Sequence, residues 1–318
     1  MRQLALTSLL LVIVLVSLSA YLRLSHSGIG CADWPACYGL IGNASDSVPT
    51  VESTLERLAT ETQQASSWAT PAHRLIASAL GLAVLAMALI AIAQKRHRAI
   101  SIALLMLTVF LTWLGIHSAG LHSPAVVMGN LAGGFTMLAL LGWMVLQPEK
   151  PVTSRRPVVR NWTIAAVTLL VFQIGLGGLT SANFAASACP ELPTCNSRML
   201  PGPGLATAFD LSRSHAIGSS GLALGGPERA AIHQLHRLGA VLTTVLVVVA
   251  GIVALQAKLG VSAVLVLILV AAEFAVGIAA VIADLPIEIA VLHNWLAAML
   301  LLALLRLLAL SQRQQAIR

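Results

Sequence analysis

The chain has 318 residues, of which 58% are hydrophobic and only 10% are charged, and its formal net charge is +7. An ordinary soluble domain carries roughly 25% charged residues, so this composition excludes a soluble globular protein and indicates a chain that lies in a lipid bilayer. The positive charge is accounted for by membrane topology, and it gives no reason to expect nucleic-acid binding.

Eight segments are apolar enough to cross a bilayer as helices, which takes about 20 residues. They lie near 4–22, 71–93, 99–117, 124–146, 161–181, 230–256, 261–283 and 287–310. Backbone groups that face lipid must form hydrogen bonds within their own segment, so we predict an all-α multi-pass membrane protein. The first segment also resembles a signal peptide, but its removal would leave an odd number of spans.

The distribution of charge predicts the orientation of the spans. Lysine and arginine cluster around 95–98 and 150–160, whereas the long connections 23–70 and 182–229 carry most of the acidic residues. Cytoplasmic loops are enriched in lysine and arginine. Both termini are therefore expected in the cytoplasm and both long loops outside.

The sequence contains an internal repeat. Cys31-ADWPA-Cys37 in the first long loop matches Cys189-PELPT-Cys195 in the second, and spans 2 and 6 both open with a histidine–arginine pair. We therefore predict two four-helix bundles that run in the same direction, as parallel repeats about an axis along the membrane normal. The two halves comprise residues 1–150 and 155–318.

The residues alone leave the role of these cysteines open. Disulfides persist in loops outside the membrane, and a separation of six residues can bring two Cα atoms within disulfide range. A redox-active thiol pair, a metal site and free thiols are the alternatives.

Three histidines lie inside predicted spans, where an ionisable side chain is costly and usually faces the bundle interior. His236 is followed after 57 residues by His293, and His73 is followed at the same spacing by Asn130. His236 and His293 lie near the outer ends of spans 6 and 8, so both imidazoles can lie at the same depth in the membrane. Two imidazoles on facing helices are the usual axial ligands of a b-type haem, so we predict this role for the pair.

Four further residues are candidates for supporting roles. Arg74 and Arg237 can each bind a haem propionate through two parallel hydrogen bonds, or can reach the membrane interface instead. His233 can meet a propionate or cap its helix. Glu273 lies within span 7, where it has a functional role or is a protonated residue hydrogen-bonded within the bundle.

With GGLTSAN (177–183) and LPIEIAVLHN (285–294), these motifs resemble the haem A synthase family along essentially the whole chain. Members of that family are oxidoreductases that convert the C8 methyl of haem O to the formyl group of haem A, the cofactor of terminal oxidases. The resemblance implies a haem b held by the iron ligands His236 and His293. It also implies haem O as substrate in the first half, with His73 as its catalytic iron ligand.

The same resemblance implies two disulfides, Cys31–Cys37 and Cys189–Cys195. It places the protein in the bacterial inner (cytoplasmic) membrane, with haem O synthase and terminal oxidase assembly as partners. Self-association is compatible with this reading.

The first half departs from the family pattern at two positions, where Thr70 replaces a glutamate and Asn130 replaces a histidine. Threonine cannot relay a proton as a carboxylate does, and an asparagine amide is a poor iron ligand. The substrate iron is then five-coordinate at His73, or takes a ligand from His117 or His122.

These substitutions leave an alternative function open. A descendant of the family could bind haem b without catalysis, as an electron carrier or a haem chaperone. A transporter or a purely structural membrane protein would leave His236 and His293 unexplained.

Overall fold

The computed structural model describes residues 1–26, 68–117, 124–148, 156–213 and 226–312, and within these ranges the protein is helical and has no strand. The α-helices are α1 (Arg2–His26), α2 (Ala69–Gln94), α3 (Arg98–His117), α4 (Pro124–Val145), α5 (Pro157–Ala182), α6 (Leu205–Phe209), α7 (Pro227–Gln256), α8 (Gly260–Ile282) and α9 (Ile287–Ser311). All except the short α6 are long and apolar enough to cross a membrane. The predicted class, an all-α protein with eight spans, is confirmed.

The helix boundaries follow from local chemistry. Proline occupies the first turn of α5 and of α7, where its missing N–H costs no helical hydrogen bond. Helix α2 ends at Lys95, whose left-handed backbone stops the helix and turns the chain toward α3. Helices α5 and α7 begin four and three residues before the predicted spans 5 and 6, because charged residues in their first turns, Arg160 in α5 and Glu228 and Arg229 in α7, interrupt the apolar run.

The helices pack in two rings of four. In the first, α1 contacts α2, α2 contacts α3, α3 contacts α4, and α4 closes on α1. In the second, α5, α7, α8 and α9 contact one another in the same cyclic order. This is the pattern that a four-helix repeat would produce, and the repeat itself stays a prediction.

The two rings meet through α4 and α5, and α9 contacts both α1 and α4. Glycine permits the close approach at two points: Leu302 of α9 lies against Gly142 of α4, and Leu131 of α4 lies against Gly178 of α5. A continuous core of buried leucine, valine and alanine side chains runs through both rings.

One end of the molecule carries the Cys189–Cys195 disulfide and is called the disulfide end below. Helices α7 and α9 both begin at this end. The start of α4 lies there too, because the backbone N–H of Ala125 donates to the carbonyl of Leu211 in the segment that follows α6.

Candidate functional site

The second ring encloses a cavity of about 620 Å³, a volume typical of small-molecule and cofactor sites. Side chains from α5, α7, α8 and α9 line it, and α1 and α4 of the first ring close one side. Most of the lining is apolar, so the polar groups that reach it are few and informative.

His236 and His293 both line this cavity. They are carried by α7 and α9, which lie diagonally across the second ring, each packed against α5 and α8. Their ring centroids are 6.5 Å apart and their planes are nearly perpendicular, at 86°. Two metal–nitrogen bonds of about 2.0 Å, with about 1.1 Å from each nitrogen to its ring centroid, require roughly 6.2 Å. The spacing therefore suits one metal ion between the rings.

A polar side chain faces the Nδ1 atom of each ring. The amide nitrogen of Gln173 on α5 lies 2.9 Å from Nδ1 of His236 and also donates to the carbonyl of His236 at 2.9 Å. Glu273 on α8 places Oε1 3.3 Å from Nδ1 of His293, an ion-pair contact that falls outside hydrogen-bond geometry, so this Nδ1 has no hydrogen-bond partner among the described residues. Nε2 is the nitrogen left for a ligand in both imidazoles. At His236 this requires the Gln173 amide to turn so that Oε1, which has no partner among the described residues, accepts from Nδ1–H.

A glycine on a neighbouring helix leaves room for each imidazole. A Cβ atom built on Gly177 would lie 3.1 Å from Cε1 of His236, and one built on Gly277 would lie 3.1 Å from Cε1 of His293. Any larger residue at either position would press on the imidazole, so these two glycines help to fix where the rings lie.

Buried polar atoms without a hydrogen-bond partner are concentrated around the cavity, although such atoms are rare in native interiors. Among the described residues, nine of twelve buried side-chain nitrogen or oxygen atoms without a hydrogen-bond partner belong to residues that line it. They include Nε of Arg23 and Arg237, Nδ1 of His233, Oε2 of Glu273 and Nδ2 of Asn294. This concentration fits a site built for a ligand that carries its own polar groups.

The donor set also fits a haem. In the described part of the chain, no group of three or more His, Cys, Asp or Glu side chains is placed to hold a metal ion. Two imidazoles alone leave most coordination positions open, and a porphyrin would supply the remaining four nitrogens. The apolar lining suits the macrocycle, and the two arginines suit its carboxylates.

Arg237 also forms hydrogen bonds to the loop that contains the disulfide. It donates to the carbonyls of Glu191 and Thr194 at 2.6 and 3.1 Å, and to the carbonyl of Cys189. The predicted Cys189–Cys195 disulfide is confirmed, and its loop is thereby fastened to the residue that follows His236. Of the guanidinium nitrogens, Nε has no partner among the described residues.

A partly buried ion pair lies at the start of α7. Arg213 lies 3.2 Å from Oε1 of Glu228 in the first turn of this helix, and donates to Oδ1 of Asn183 at 2.6 Å. Near it, the hydroxyl of Ser212 donates to Oδ1 of Asp210 and lowers the pKa of that exposed carboxyl. The contact of Arg213 with Glu228 holds the residues that follow α6 against the first turn of α7, the helix that carries His236.

In the first ring, the candidate residues are less enclosed. His73 and Thr70 lie in the first two turns of α2 and are half-buried, as is Asn130 on α4, while Arg74 is exposed. Helices α2 and α4 lie diagonally across their ring, as α7 and α9 do. Cys31, Cys37 and His122 lie outside the described residues, as does the side chain of His117.

The sequence identified the two histidines and, near them, Arg237 and Glu273. It did not predict the roles of Gln173, Gly277 and Arg23, which lie in no recognisable motif, nor that Gly177 of GGLTSAN lies against His236. One signal was present: Gln173 precedes Gly177 by four residues, and Glu273 precedes Gly277 by four, so each pair shares a helix face.

Comparisons with known proteins cover nearly the whole chain. Residues 2–305 match the family COX15-CtaA, described as cytochrome oxidase assembly protein. The chain is 33% identical to a protein named heme A synthase from Shewanella oneidensis, over 93% of this chain and 92% of the relative. Proteins of the same name from Halalkalibacterium halodurans and Caulobacter vibrioides are each 25% identical, over 98% and 92% of this chain and 97% and 90% of their own lengths.

Proposed function

The chain belongs to the COX15-CtaA family of cytochrome oxidase assembly proteins, and on this premise we propose that it is a haem A synthase. This oxidoreductase would convert the C8 methyl of haem O to the formyl group of haem A. The observation that carries the proposal is the pair His236 and His293, 6.5 Å apart across a cavity, in a chain whose relatives bear that name.

His236 and His293 would bind the iron of a haem b in this cavity. When bound, haem b supplies one-electron transfer. The protein would hold both imidazoles at the observed spacing and would place mostly apolar side chains around the macrocycle. Arg23 and Arg237 would face the haem carboxylates, since each guanidinium has a buried Nε without a partner among the described residues.

The substrate haem O would bind in the first ring with His73 on its iron. Asn130, across the ring on α4, is a weak ligand and leaves the opposite side of the iron open unless His117 or His122 reaches it. Arg74 would face a carboxylate at the membrane interface. Thr70 offers a hydroxyl but no carboxylate, so any proton transfer there needs another acceptor.

The cellular setting follows from the same premise. The protein would lie in the bacterial inner membrane with both termini in the cytoplasm, as the lysine and arginine pattern predicts. Haem O synthase would supply its substrate, and terminal oxidase assembly would consume its product.

Thr70 and Asn130 are the residues that favour a second function, a haem b protein without catalysis. A carrier or chaperone would need the second ring but not a reactive first ring. The shared name of the relatives favours the enzyme over this alternative.

The test is haem analysis of cells that make haem O, with and without this protein. We expect haem A to appear only in cells with the protein, and to be missing from cells that carry H73A. Unchanged haem O beside a purified protein that contains haem b alone would reject the enzyme and support the carrier.

A further inference from the structure

The second ring of helices contains the same local arrangement of a polar residue and a glycine beside each of its two histidines. On α5 and again on α8, a polar side chain is followed four residues later by a glycine on the same helix face: Gln173 with Gly177, and Glu273 with Gly277. In each pair the glycine leaves room for a histidine ring from another helix, and the polar side chain faces Nδ1 of that ring.

The two arrangements differ in charge. Gln173 presents a neutral carboxamide to His236, whereas Glu273 presents a carboxyl group to His293. Glu273 lines the same cavity, its Oε2 has no hydrogen-bond partner among the described residues, and no described lysine or arginine forms an ion pair with this carboxylate. The two imidazoles are therefore positioned alike but lie in different electrostatic environments.

We propose that Glu273 is a positioning residue that orients His293 and makes it the stronger of the two axial donors, with Gln173 as its neutral counterpart at His236. This inference rests on the proposed haem b between the two histidines. It assigns a function to an intramembrane carboxylate that takes no direct part in binding the iron.

The physical reason lies in the two nitrogens of imidazole. A carboxylate oxygen beside Nδ1 holds the proton on that nitrogen, which leaves the Nε2 lone pair free for a metal. It also increases the basicity of the ring, and a more basic ligand stabilises ferric over ferrous iron. A carboxamide whose oxygen accepts from Nδ1–H orients the imidazole in the same way but without this added negative charge.

The experiment is an optical redox titration of the purified haem-loaded protein, with electron paramagnetic resonance of the oxidised form. In E273Q we expect an upward shift of the haem b midpoint potential with both axial histidines retained. The resonance signal should change as well, since it reports the angle between the two ring planes, which is 86° here. The matched variant Q173E should shift the potential downward.

E273D separates contact from charge. It keeps the carboxylate but withdraws it from Nδ1 by one methylene, so we expect a potential between those of the native protein and E273Q. A potential equal to the native value would show that charge alone acts and would overturn the positioning role. An unchanged potential in haem-loaded E273Q would overturn the inference outright.

Two results remain interpretable if E273Q does not retain haem. E273D must still shift the potential upward and Q173E must still lower it, and failure of either shift overturns the inference. The native protein provides the check on the proposed site: absence of a bis-histidine haem b would reject the site itself. A native bis-histidine haem with potentials that do not respond to the variants would reject only the role of Glu273.

Discussion

The two rings of helices share a plan but differ in how they hold a ligand. In the second ring, His236 and His293 are each held between a glycine and a polar side chain. In the first, the same 57-residue spacing joins His73 to Asn130, and the helices α1 to α4 contain no acidic residue. None of the glycines in these four helices follows a glutamine or glutamate by four positions.

This difference shows how the same four-helix arrangement can bind a permanent cofactor in one case and a substrate in the other. A resident cofactor benefits from two ligands whose rings are fixed by neighbours, since a small displacement weakens both metal bonds. A substrate must enter, react and leave, so a site with one strong ligand and few fixed contacts suits it better. On the proposed function, the second ring is the resident site and the first is the exchange site.

The largest effect should come from removing a ligand in the second ring. H293A removes one of the two proposed iron ligands and leaves His236 without an imidazole across the cavity, so we expect near-complete loss of bound haem b. Haem content per purified protein, measured by the pyridine haemochrome spectrum, gives the answer. An unchanged spectrum would show that His293 is not a ligand and would remove the basis for the contrast between the rings.

The reciprocal change in the first ring should separate binding from catalysis. H73A removes the proposed substrate ligand but leaves the second cavity intact, so we expect haem b at the native level and no haem A. Extraction and chromatography of cell haems measure the product. Loss of haem b in H73A would mean that the two rings are not independent sites.

The importance of having Asn130 where the second ring of helices has His293 can be tested by substitutions that make the first ring resemble the second. N130H would restore the family's histidine across the ring from His73, and we expect several-fold less haem A because the glutamate that accompanies it in the family pattern is still replaced by Thr70. T70E in the same background tests whether a carboxylate compensates. A gain in haem A formation would instead indicate a degenerate first ring and would favour the carrier.

The smallest effects should come from the glycines. G177A places a Cβ 3.1 Å from Cε1 of His236, so we expect a displaced ring, weaker haem retention and a cost of about 1–3 kcal/mol. Thermal unfolding and haem dissociation measure it. G175A on the same helix is the control, because its Cβ would meet nothing within 4 Å and alanine stabilises helices by up to about 1 kcal/mol over glycine. Equal behaviour of the two variants would show that Gly177 does not position the ring.

Much of the fold was accessible from the sequence because lipid imposes a simple rule on length and polarity. All eight spans were predicted, and the equal spacing singled out His236 and His293. The partners of their Nδ1 atoms were not accessible, since Gln173 and Glu273 reach them from other helices whose rotation is set by packing. Arg237 was identified, but its bonds to the disulfide loop depend on the path between α5 and α7, which periodicity does not describe.

The position of α9 has a consequence for the timing of biogenesis. Among the described helices it is the last to be synthesised, yet it carries His293 and contacts α1, α4, α5 and α8. A nascent chain that has inserted α1 to α8 therefore has His236 in place but neither the second imidazole nor the contacts of α9 with both rings. On the proposed function, the haem b site is complete only after this helix is inserted, so a ribosome-stalled intermediate that ends before His293 should emerge without bound haem b.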